Sequence, residues 1–297
     1  MNLKQLLYLP LWYFKIRFLK KQIPLQTVLF ISNICNYDCK HCCVDKSKPS
    51  QMGFNEIKEH LTYSYNLGSR FVDFEGGEPT LWNDGDKNIN DLCNLAREIG
   101  FFTTTVTTNA SNEFSYLNAD HIFVSLDGLH THDTIREQGA FEKLKTNIAK
   151  YPDAKKLSVN MVINSINKNE IPEVLDFVQN NPSINGISFN FYNPINGDKS
   201  LCVENKQEII EKILEFKKRG YKIINTKKGL EYLANPSFER VCWITNFITE
   251  KGTRHQGCPV QNYEICQHCG LGMSGEMRAL FDFNMGTILA GLNLRLF

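Results

Sequence analysis

TVLFISNICNYDCKHC, residues 27–42, joins a strand-like run to three closely spaced cysteines. Residues 27–31 are apolar or β-branched, as is typical of a strand buried on both faces of a parallel sheet. Cys35, Cys39 and Cys42 then follow within eight residues. Three thiolates on one loop can ligate three irons of a cubane [4Fe–4S] cluster and leave the fourth iron open. An open position is what catalytic metal sites keep.

Five further runs of similar character predict the rest of a sheet. They lie at 71–74, 102–108, 122–126, 157–163 and 186–192. Helical periodicity between the runs, with a helix near 206–219, gives six strand–helix units and predicts an α/β domain with a parallel sheet. A full eight-unit barrel needs about 250 residues. Residues 27–220 therefore favour a partial, six-stranded (β/α)6 barrel, with an open doubly wound sheet as the alternative.

The composition excludes several classes of protein. Of the 297 residues, 42% are hydrophobic and 22% are charged, which is ordinary for a globular chain. The formal net charge of +1 gives no indication of a nucleic-acid partner. Ten cysteines in a chain without a convincing signal peptide favour metal ligation in a reducing compartment over disulfides. We therefore expect a cytoplasmic protein.

The C-terminal part of the chain carries a second group of four cysteines: Cys242, Cys258, Cys266 and Cys269. Four thiolates are enough to close a metal site completely. A hairpin pattern at 244–249 and 253–256 lies between the first two of them. Residues 266–270, CQHCG, also resemble a zinc knuckle. An iron–sulfur cluster and structural zinc are both consistent with this group.

The strand and its cysteines resemble the radical S-adenosylmethionine (SAM) superfamily, whose signature is C-x3-C-x2-C after the first strand. Further segments match that family in order and spacing: Glu75-Gly76-Gly77-Glu78-Pro79 after the second strand, Thr107-Thr108-Asn109 after the third, and Ser125-Leu126-Asp127-Gly128 after the fourth, with Arg136 downstream. Polar residues at the ends of successive parallel strands face one mouth of a barrel. The resemblance covers about residues 27–195.

The resemblance implies a cofactor, a cosubstrate and a binding site. The open iron of the cluster on Cys35, Cys39 and Cys42 would chelate SAM, and one electron would cleave SAM to a 5′-deoxyadenosyl radical. Gly76, Gly77 and Glu78 would hold the methionine amino group, Ser125 the ribose and Arg136 the methionine carboxylate, with Asn109 as a further member of the site. His41 occupies the position next to the adenine, and a loop histidine without that role is the alternative.

The tail resembles the C-terminal extensions called SPASM and twitch, which begin with C-x9–15-G-x4-C around a hairpin and carry auxiliary [4Fe–4S] clusters. Here five residues, one more than in that pattern, separate Gly252 from Cys258. The longer cysteine series that builds two auxiliary clusters is missing. We expect one auxiliary cluster, with zinc as the alternative. Its ligands would be Cys242, Cys258, Cys266 and Cys269.

We expect three units: an amphipathic segment at 1–26, the barrel at 27–225 and a twitch-like domain at 226–297. Pro10 is expected to break the N-terminal helix. This first segment either packs across the barrel, which we favour, or seats at a membrane surface. Aromatic side chains beside Lys15, Arg17, Lys20 and Lys21 suggest the second possibility.

These observations predict a radical SAM enzyme that abstracts hydrogen from an organic substrate. A peptide, a protein or a small metabolite is the expected substrate, and the apolar ends of the chain keep a lipid or isoprenoid as the alternative. A reductant such as flavodoxin or ferredoxin is the expected electron donor. A non-enzymatic iron–sulfur or zinc module is a rival of another class, and it would not need the polar residues at the strand ends. The residue that handles the second hydrogen cannot be assigned from the sequence.

Overall fold

The structure, a computed structural model, describes residues 3–195, 197–235, 238–260 and 264–296. The helices are α1 (Leu3–Arg17), α2 (Phe54–Leu67), α3 (Ile89–Ile99), α4 (His132–Ile135), α5 (Ala140–Lys150), α6 (Ile171–Asn180), α7 (Lys206–Lys218), α8 (Lys227–Ala234), α9 (Gly272–Phe281) and α10 (Met285–Leu296). The strands are β1 (Gln26–Ser32), β2 (Phe71–Gly76), β3 (Asn83–Asp84), β4 (Lys87–Asn88), β5 (Thr103–Thr108), β6 (His121–Ser125), β7 (Leu157–Ile163), β8 (Gly186–Phe191), β9 (Thr245–Ile248) and β10 (Arg254–Gln256).

One large sheet has the strand order β10-β9-β1-β2-β5-β6-β7-β8. All neighbouring strands from β9 to β8 are parallel, whereas β10 is antiparallel to β9. β3 and β4 form a separate short hairpin. Each of the six predicted strands is present within two residues of its expected bounds. The structure therefore confirms the α/β fold with a partial six-stranded barrel.

The helices between the strands pack against the sheet. Ile57 and Leu61 of α2, Cys93 of α3 and Val174 of α6 are fully buried in one core with the strand side chains. α3 ends at Gly100, whose positive φ of 117° lets its N–H donate to the carbonyls of the last turn. The helices on the outer side of the strands thus fix the strand ends, where the motif residues lie.

Two expectations about the helices are wrong. Residues 109–120 contain no helix, so the unit between β5 and β6 lacks one. This connection is rich in Asn, Ser and Asp, which favour turns because their side chains compete for backbone hydrogen bonds. α1 continues through Pro10 without ending. Pro10 is exposed, so water can bind the carbonyl that lacks its helical donor.

The C-terminal segment covers the open side of the partial barrel. At one edge β9 pairs with β1 in parallel register, which extends the sheet. At the other edge Phe191 N–H donates to Gly270 O at 2.7 Å, and Gly272 N–H donates to Asn190 Oδ1 at 2.7 Å. The tail therefore contacts both edges of the six-stranded sheet, and this position brings its cysteines to the interior.

α1 packs at the amino ends of the strands. Trp12 and Ile16 are 3% and 1% exposed and share a small core with Leu25 and Phe71. The Trp12 indole N–H donates to Ile23 O at 2.9 Å. This face of α1 therefore packs on the barrel, which is the arrangement we favoured for the N-terminal segment.

No helix among the described residues combines the length and the apolar character needed to cross a bilayer.

Candidate active site

The cysteine loop follows the carboxyl end of β1, as predicted. Its sulfurs lie near N–H donors from three parts of the chain. Tyr37 N–H is 3.5 Å from Cys35 Sγ, Asn109 Nδ2 is 3.8 Å from the same sulfur, and Arg136 Nη1 is 3.9 Å from Cys39 Sγ. Donors aimed at sulfur stabilise thiolates and the clusters they ligate.

The three thiols interact electrostatically with one another. Burial raises the pKa of Cys39 to about 11; Arg136 opposes this increase, and the Cys42 and Cys35 thiols add to it. Burial also raises the pKa of Cys35, with the neighbouring Cys42 contributing in the same direction. Grouped thiolates of this kind need a cation to neutralise them, and the irons of a cluster would supply that charge.

A buried carboxylate holds Arg136 beside the cysteine loop. Asp127 Oδ2 accepts from Arg136 Nε at 2.7 Å, and Asp127 Oδ1 accepts from Val162 N–H at 2.9 Å. Both side chains are almost fully buried. Burial raises the pKa of Asp127, but Arg136, His41 and nearby donors lower it further, so it lies below its ordinary value. Asp127 therefore carries the negative charge that pairs with Arg136.

The Gly76-Gly77 turn packs directly on the start of the cysteine loop. Gly77 N–H donates to Ser32 O at 2.7 Å, and Glu78 N–H donates to Ile34 O at 2.8 Å. A Cβ on Gly77 would lie 2.1 Å from Ile34 O, so only glycine fits here. These two N–H groups are thus bonded to the loop and are not available to a ligand.

Glu78 is bonded to the protein rather than left free for a ligand. One carboxylate oxygen accepts from Thr80 N–H at 3.1 Å and from the Thr80 and Thr108 hydroxyls, each at 2.7 Å. The other accepts from Asn109 N–H at 2.7 Å. Burial raises the pKa of Glu78, and these donors oppose the increase. Glu78 thus joins the ends of β2 and β5.

The remaining predicted residues border the same region. His41 Nε2 lies 3.6 Å from Asp127 Oδ2, and within the described residues His41 Nδ1 is buried without a hydrogen-bond partner. Burial lowers the pKa of His41, so the ring is neutral and can accept or donate one hydrogen bond. Ser125 ends β6 and is 8% exposed. His41 also lines the cavity described below, and Ser125 lies at the carboxyl end of its strand.

The second cysteine group comes together in the tail. Burial raises the pKa of Cys242 to about 11, and the Cys258, Cys269 and Cys266 thiols add to the increase. Cys269 Sγ lies 3.5 Å from Ser274 Oγ, near the start of α9. Within the described residues, no three His, Cys, Asp or Glu side chains lie close enough to share one metal ion. In the described part of the chain, the tail thiols and those of the cysteine loop therefore lie near their neighbours without being arranged around a common metal position.

A cavity of about 1870 Å³ connects the two cysteine groups. Its walls include aromatic side chains from the strands, Phe30, Phe123 and Phe247, and polar side chains deeper in the barrel, Asp73, Thr105 and Asn160. The wall also carries cysteines from both groups: Cys42, Cys242, Cys258, Cys266 and Cys269. The site is therefore a mainly apolar cavity, partly open to solvent, whose wall carries thiols of both cysteine groups.

Two residues of this network are not evident from the amino-acid sequence. Asp127 could be interpreted as a simple turn residue, yet it is the buried partner of Arg136. His132 accepts from Asp127 N–H through Nδ1 at 3.1 Å, and burial lowers its pKa to about 4. Asp127 belongs to the Ser125-Leu126-Asp127-Gly128 motif and His132 begins α4, but a single sequence gives no signal of which side chains are paired.

The comparisons with known proteins agree with this geometry. GTP 3′,8-cyclase from Vibrio atlanticus is 26% identical over 171 residues, which is 52% of this chain and 50% of that protein. The chain spans about half the length of the curated relatives it matches.

Two solved structures share the fold. Streptococcus suis SuiB bound to S-adenosylmethionine has a TM-score of 0.63 at 17% identity, covering 91% of this chain and 68% of SuiB. The enzyme anSMEcpe with bound AdoMet and a peptide has a TM-score of 0.59 at 15% identity, covering 92% of this chain and 84% of that one.

The family model described as the radical SAM superfamily matches residues 29–178, which contain the cysteine loop, the Gly-Gly turn and the Asp127–Arg136 pair. Family membership brings with it SAM and a [4Fe–4S] cluster, and it rules against a non-enzymatic binding module. This chain belongs to the radical SAM superfamily of enzymes.

Proposed function

We propose that the chain binds SAM at the cysteine loop and uses it to abstract hydrogen from an organic substrate held in the cavity. The observation that carries this proposal is the cavity itself. Cys42 of the cysteine loop and all four cysteines of the tail line it. A substrate in this space would lie between the two groups of thiols, with water largely displaced by the apolar walls.

Cys35, Cys39 and Cys42 would hold the SAM-binding [4Fe–4S] cluster. Thiolate sulfur is the ligand that such clusters take, and the N–H groups of Tyr37 and Asn109 near Cys35 would adjust the charge on that sulfur. When bound, the cluster supplies the electron that cleaves SAM to methionine and a 5′-deoxyadenosyl radical. The protein itself orients SAM and shields the reacting atoms.

Residues at the strand ends would orient SAM. The N–H groups of Gly77 and Glu78 are committed to the cysteine loop, so carbonyl oxygens of this turn would accept from the amino group of SAM. Asp127 uses only Nε of Arg136, which leaves terminal N–H groups for the SAM carboxylate. The other proposed contacts are Ser125 with the ribose and His41 with the adenine, with Asn109 completing the site.

The four tail cysteines, Cys242, Cys258, Cys266 and Cys269, would hold one auxiliary [4Fe–4S] cluster in a twitch-like domain. Their mutual repulsion as thiolates and their position on the cavity wall support this. A cluster there would accept an electron from the substrate or orient it after hydrogen abstraction. Structural zinc is the competing occupant, and metal analysis distinguishes the two.

The substrate is proposed to be a peptide, a protein or a small metabolite. The structures with similar folds include SuiB bound to its precursor peptide SuiA, and the sequence relatives include GTP 3′,8-cyclase. The walls of the cavity are largely aromatic and aliphatic, and water next to such walls makes few hydrogen bonds. An apolar molecule displaces this water easily, which favours a lipid or isoprenoid as the second candidate.

We further propose three units, 1–26, 27–225 and 226–297, in a cytoplasmic protein that takes electrons from a flavodoxin or ferredoxin. None of the ten cysteines forms a disulfide, which fits a reducing compartment. The formal net charge of +1 gives no indication of a nucleic-acid partner.

The test is SAM binding and cleavage by the anaerobically reconstituted protein. With dithionite, the wild-type protein should release 5′-deoxyadenosine and methionine. Arg136→Ala should weaken SAM binding by roughly 30-fold or more, since losing one partner of a buried charged hydrogen bond costs about 2–5 kcal/mol. Arg219→Ala, at the exposed end of α7, is the matched control and should bind SAM as the wild type does.

Iron content separates a binding defect from a folding defect. Arg136→Ala should keep the iron content of the wild-type protein, and Arg136→Lys should recover part of the affinity because it restores the charge without the fork. Wild-type SAM affinity in an iron-loaded Arg136→Ala protein would show that the ligand is placed wrongly.

A further inference from the structure

Exposed apolar side chains are concentrated in two segments. Among the described residues, twelve large hydrophobic side chains are exposed, and eight of them lie in 7–19 or 283–289. The eight are Leu7, Leu11, Phe14, Phe18, Leu19, Phe283, Met285 and Leu289. We call them the apolar surface. Contiguous exposed apolar patches mark interaction sites on proteins.

α1 has two apolar faces, and the barrel uses one of them. Trp12 and Ile16 face the barrel and are buried. Leu7, Leu11 and Phe14 recur at the spacing of one helix face, on a side that the barrel does not cover, and they are 65%, 51% and 49% exposed. Packing on the barrel and contact with a membrane can therefore use different faces of α1.

The second segment lies next to α1. The Tyr13 hydroxyl donates to Phe281 O at 3.0 Å, and the Tyr13 and Phe283 rings are 5.1 Å apart. Phe283 has a positive φ of 60°, which is uncommon for a bulky residue, and its side chain is 56% exposed. The two segments therefore form one continuous surface.

The charge of the N-terminal part of the chain is one-sided, whereas Asp282 beside Phe283 is paired with Arg278. Residues 1–37 contain five basic residues and no Asp or Glu, which leaves 28 basic against 32 acidic residues in the rest of the chain. Lys20 and Lys21 are exposed directly after Phe18 and Leu19. This combination matches an anionic bilayer. Apolar side chains can insert among the acyl chains, and the lysines can pair with the anionic headgroups.

We propose that the apolar surface docks on an anionic phospholipid bilayer, with α1 lying in the plane of the interface. The proposal does not depend on the SAM chemistry. A second copy of the chain is a poor occupant, because a symmetric contact would bring the same cations together. Phe14, Phe18 and Phe283 also line the cavity, so the cavity opens within the docked surface.

The test is co-sedimentation of the iron-loaded, full-length protein with vesicles. Binding to phosphatidylglycerol/phosphatidylcholine vesicles should exceed binding to phosphatidylcholine alone and should fall with added salt. Leu11→Gln should lower the partition coefficient roughly ten-fold, since burying a leucine side chain is worth about 1.5–3 kcal/mol. Lys20→Gln with Lys21→Gln should lower it roughly 25-fold, at about 1 kcal/mol per cation.

Tyr116→Gln is the matched control, because Tyr116 is 47% exposed and lies outside the apolar surface. It should bind vesicles as the wild type does. Equal binding of Leu11→Gln and the wild type, or no binding to anionic vesicles at low salt, would overturn the proposal. So would a dimer that Leu11→Gln dissociates in the absence of vesicle binding, because it would assign the surface to a second copy. Each variant should retain wild-type iron content and 5′-deoxyadenosine release, so that failure here is distinct from failure of the SAM site.

Discussion

Replacing Asp127 with Asn removes the negative charge that holds Arg136 next to the cysteine loop. Asp127 is fully buried and Arg136 is 9% exposed, so the arginine left behind would be a buried charge without its carboxylate. Loss of one partner of such a pair typically costs about 3–5 kcal/mol. Asn can still accept from Val162 N–H, so we expect Asp127→Asn to lower the free energy of unfolding by about 3 kcal/mol.

Urea denaturation of the iron-loaded protein under anaerobic conditions measures this effect. Glu142→Gln is the control, because Glu142 belongs to an exposed ion pair with Lys145, and it should change stability by less than about 0.5 kcal/mol. The double variant Asp127→Asn/Arg136→Met should be more stable than the sum of the two single effects, since it leaves no unpaired charge. If Asp127→Asn were as stable as Glu142→Gln, the pair would not hold the site together.

The same variant should also change the response to acid. The pKa of Asp127 is lower in the folded than in the unfolded protein, so its stabilising contribution is complete above about pH 4, the unfolded value, and is lost as the pH falls through the folded pKa. The wild-type protein should therefore lose stability below pH 4 more steeply than Asp127→Asn does.

Three further results follow from the structure. Burial lowers the pKa of His132 to about 4, so the stability of the wild-type protein should fall by up to about 3 kcal/mol as the pH drops from about 6.5 towards 4. In urea titrations, His132→Asn should show a smaller dependence of stability on pH over this range. Gly77→Ala should reduce iron incorporation because its Cβ would meet Ile34 O of the cysteine loop, whereas Gly139→Ala has open space and should incorporate iron normally despite its positive φ. Trp12→Ala should lower stability by about 3–5 kcal/mol in the same titrations, since it empties a buried site and removes an indole hydrogen bond; a loss below 1 kcal/mol would mean that α1 is not docked.

The sheet could be predicted from the sequence because its signals are local. The run 27–31, the glycine after α3 and the hairpin before Cys258 each depend on residues a few positions apart. The cysteine spacing and the strand-end motifs likewise gave the superfamily, which the match over residues 29–178 confirms.

Features that depend on distant partners could not be predicted. A helix can continue through Pro10 because the residue is exposed to solvent, and exposure of a single residue cannot be read from the sequence. The hydrogen bonds that Thr108 and Asn109 donate to Glu78 join residues about thirty positions apart, and no local pattern predicts them. The exposed apolar face of α1 could not be predicted either, because packing against the barrel determines which face of the helix is buried.

The iron content of the anaerobically reconstituted protein tests the central claim most directly. Two clusters, one on each group of thiols, predict about eight irons per chain in the wild type and about four when Cys35, Cys39 and Cys42 are all changed to Ala. The triple variant should also release no 5′-deoxyadenosine. About four irons with one zinc in the wild-type protein would contradict the auxiliary cluster, and a triple variant with undiminished iron would contradict the assignment of the SAM-binding site.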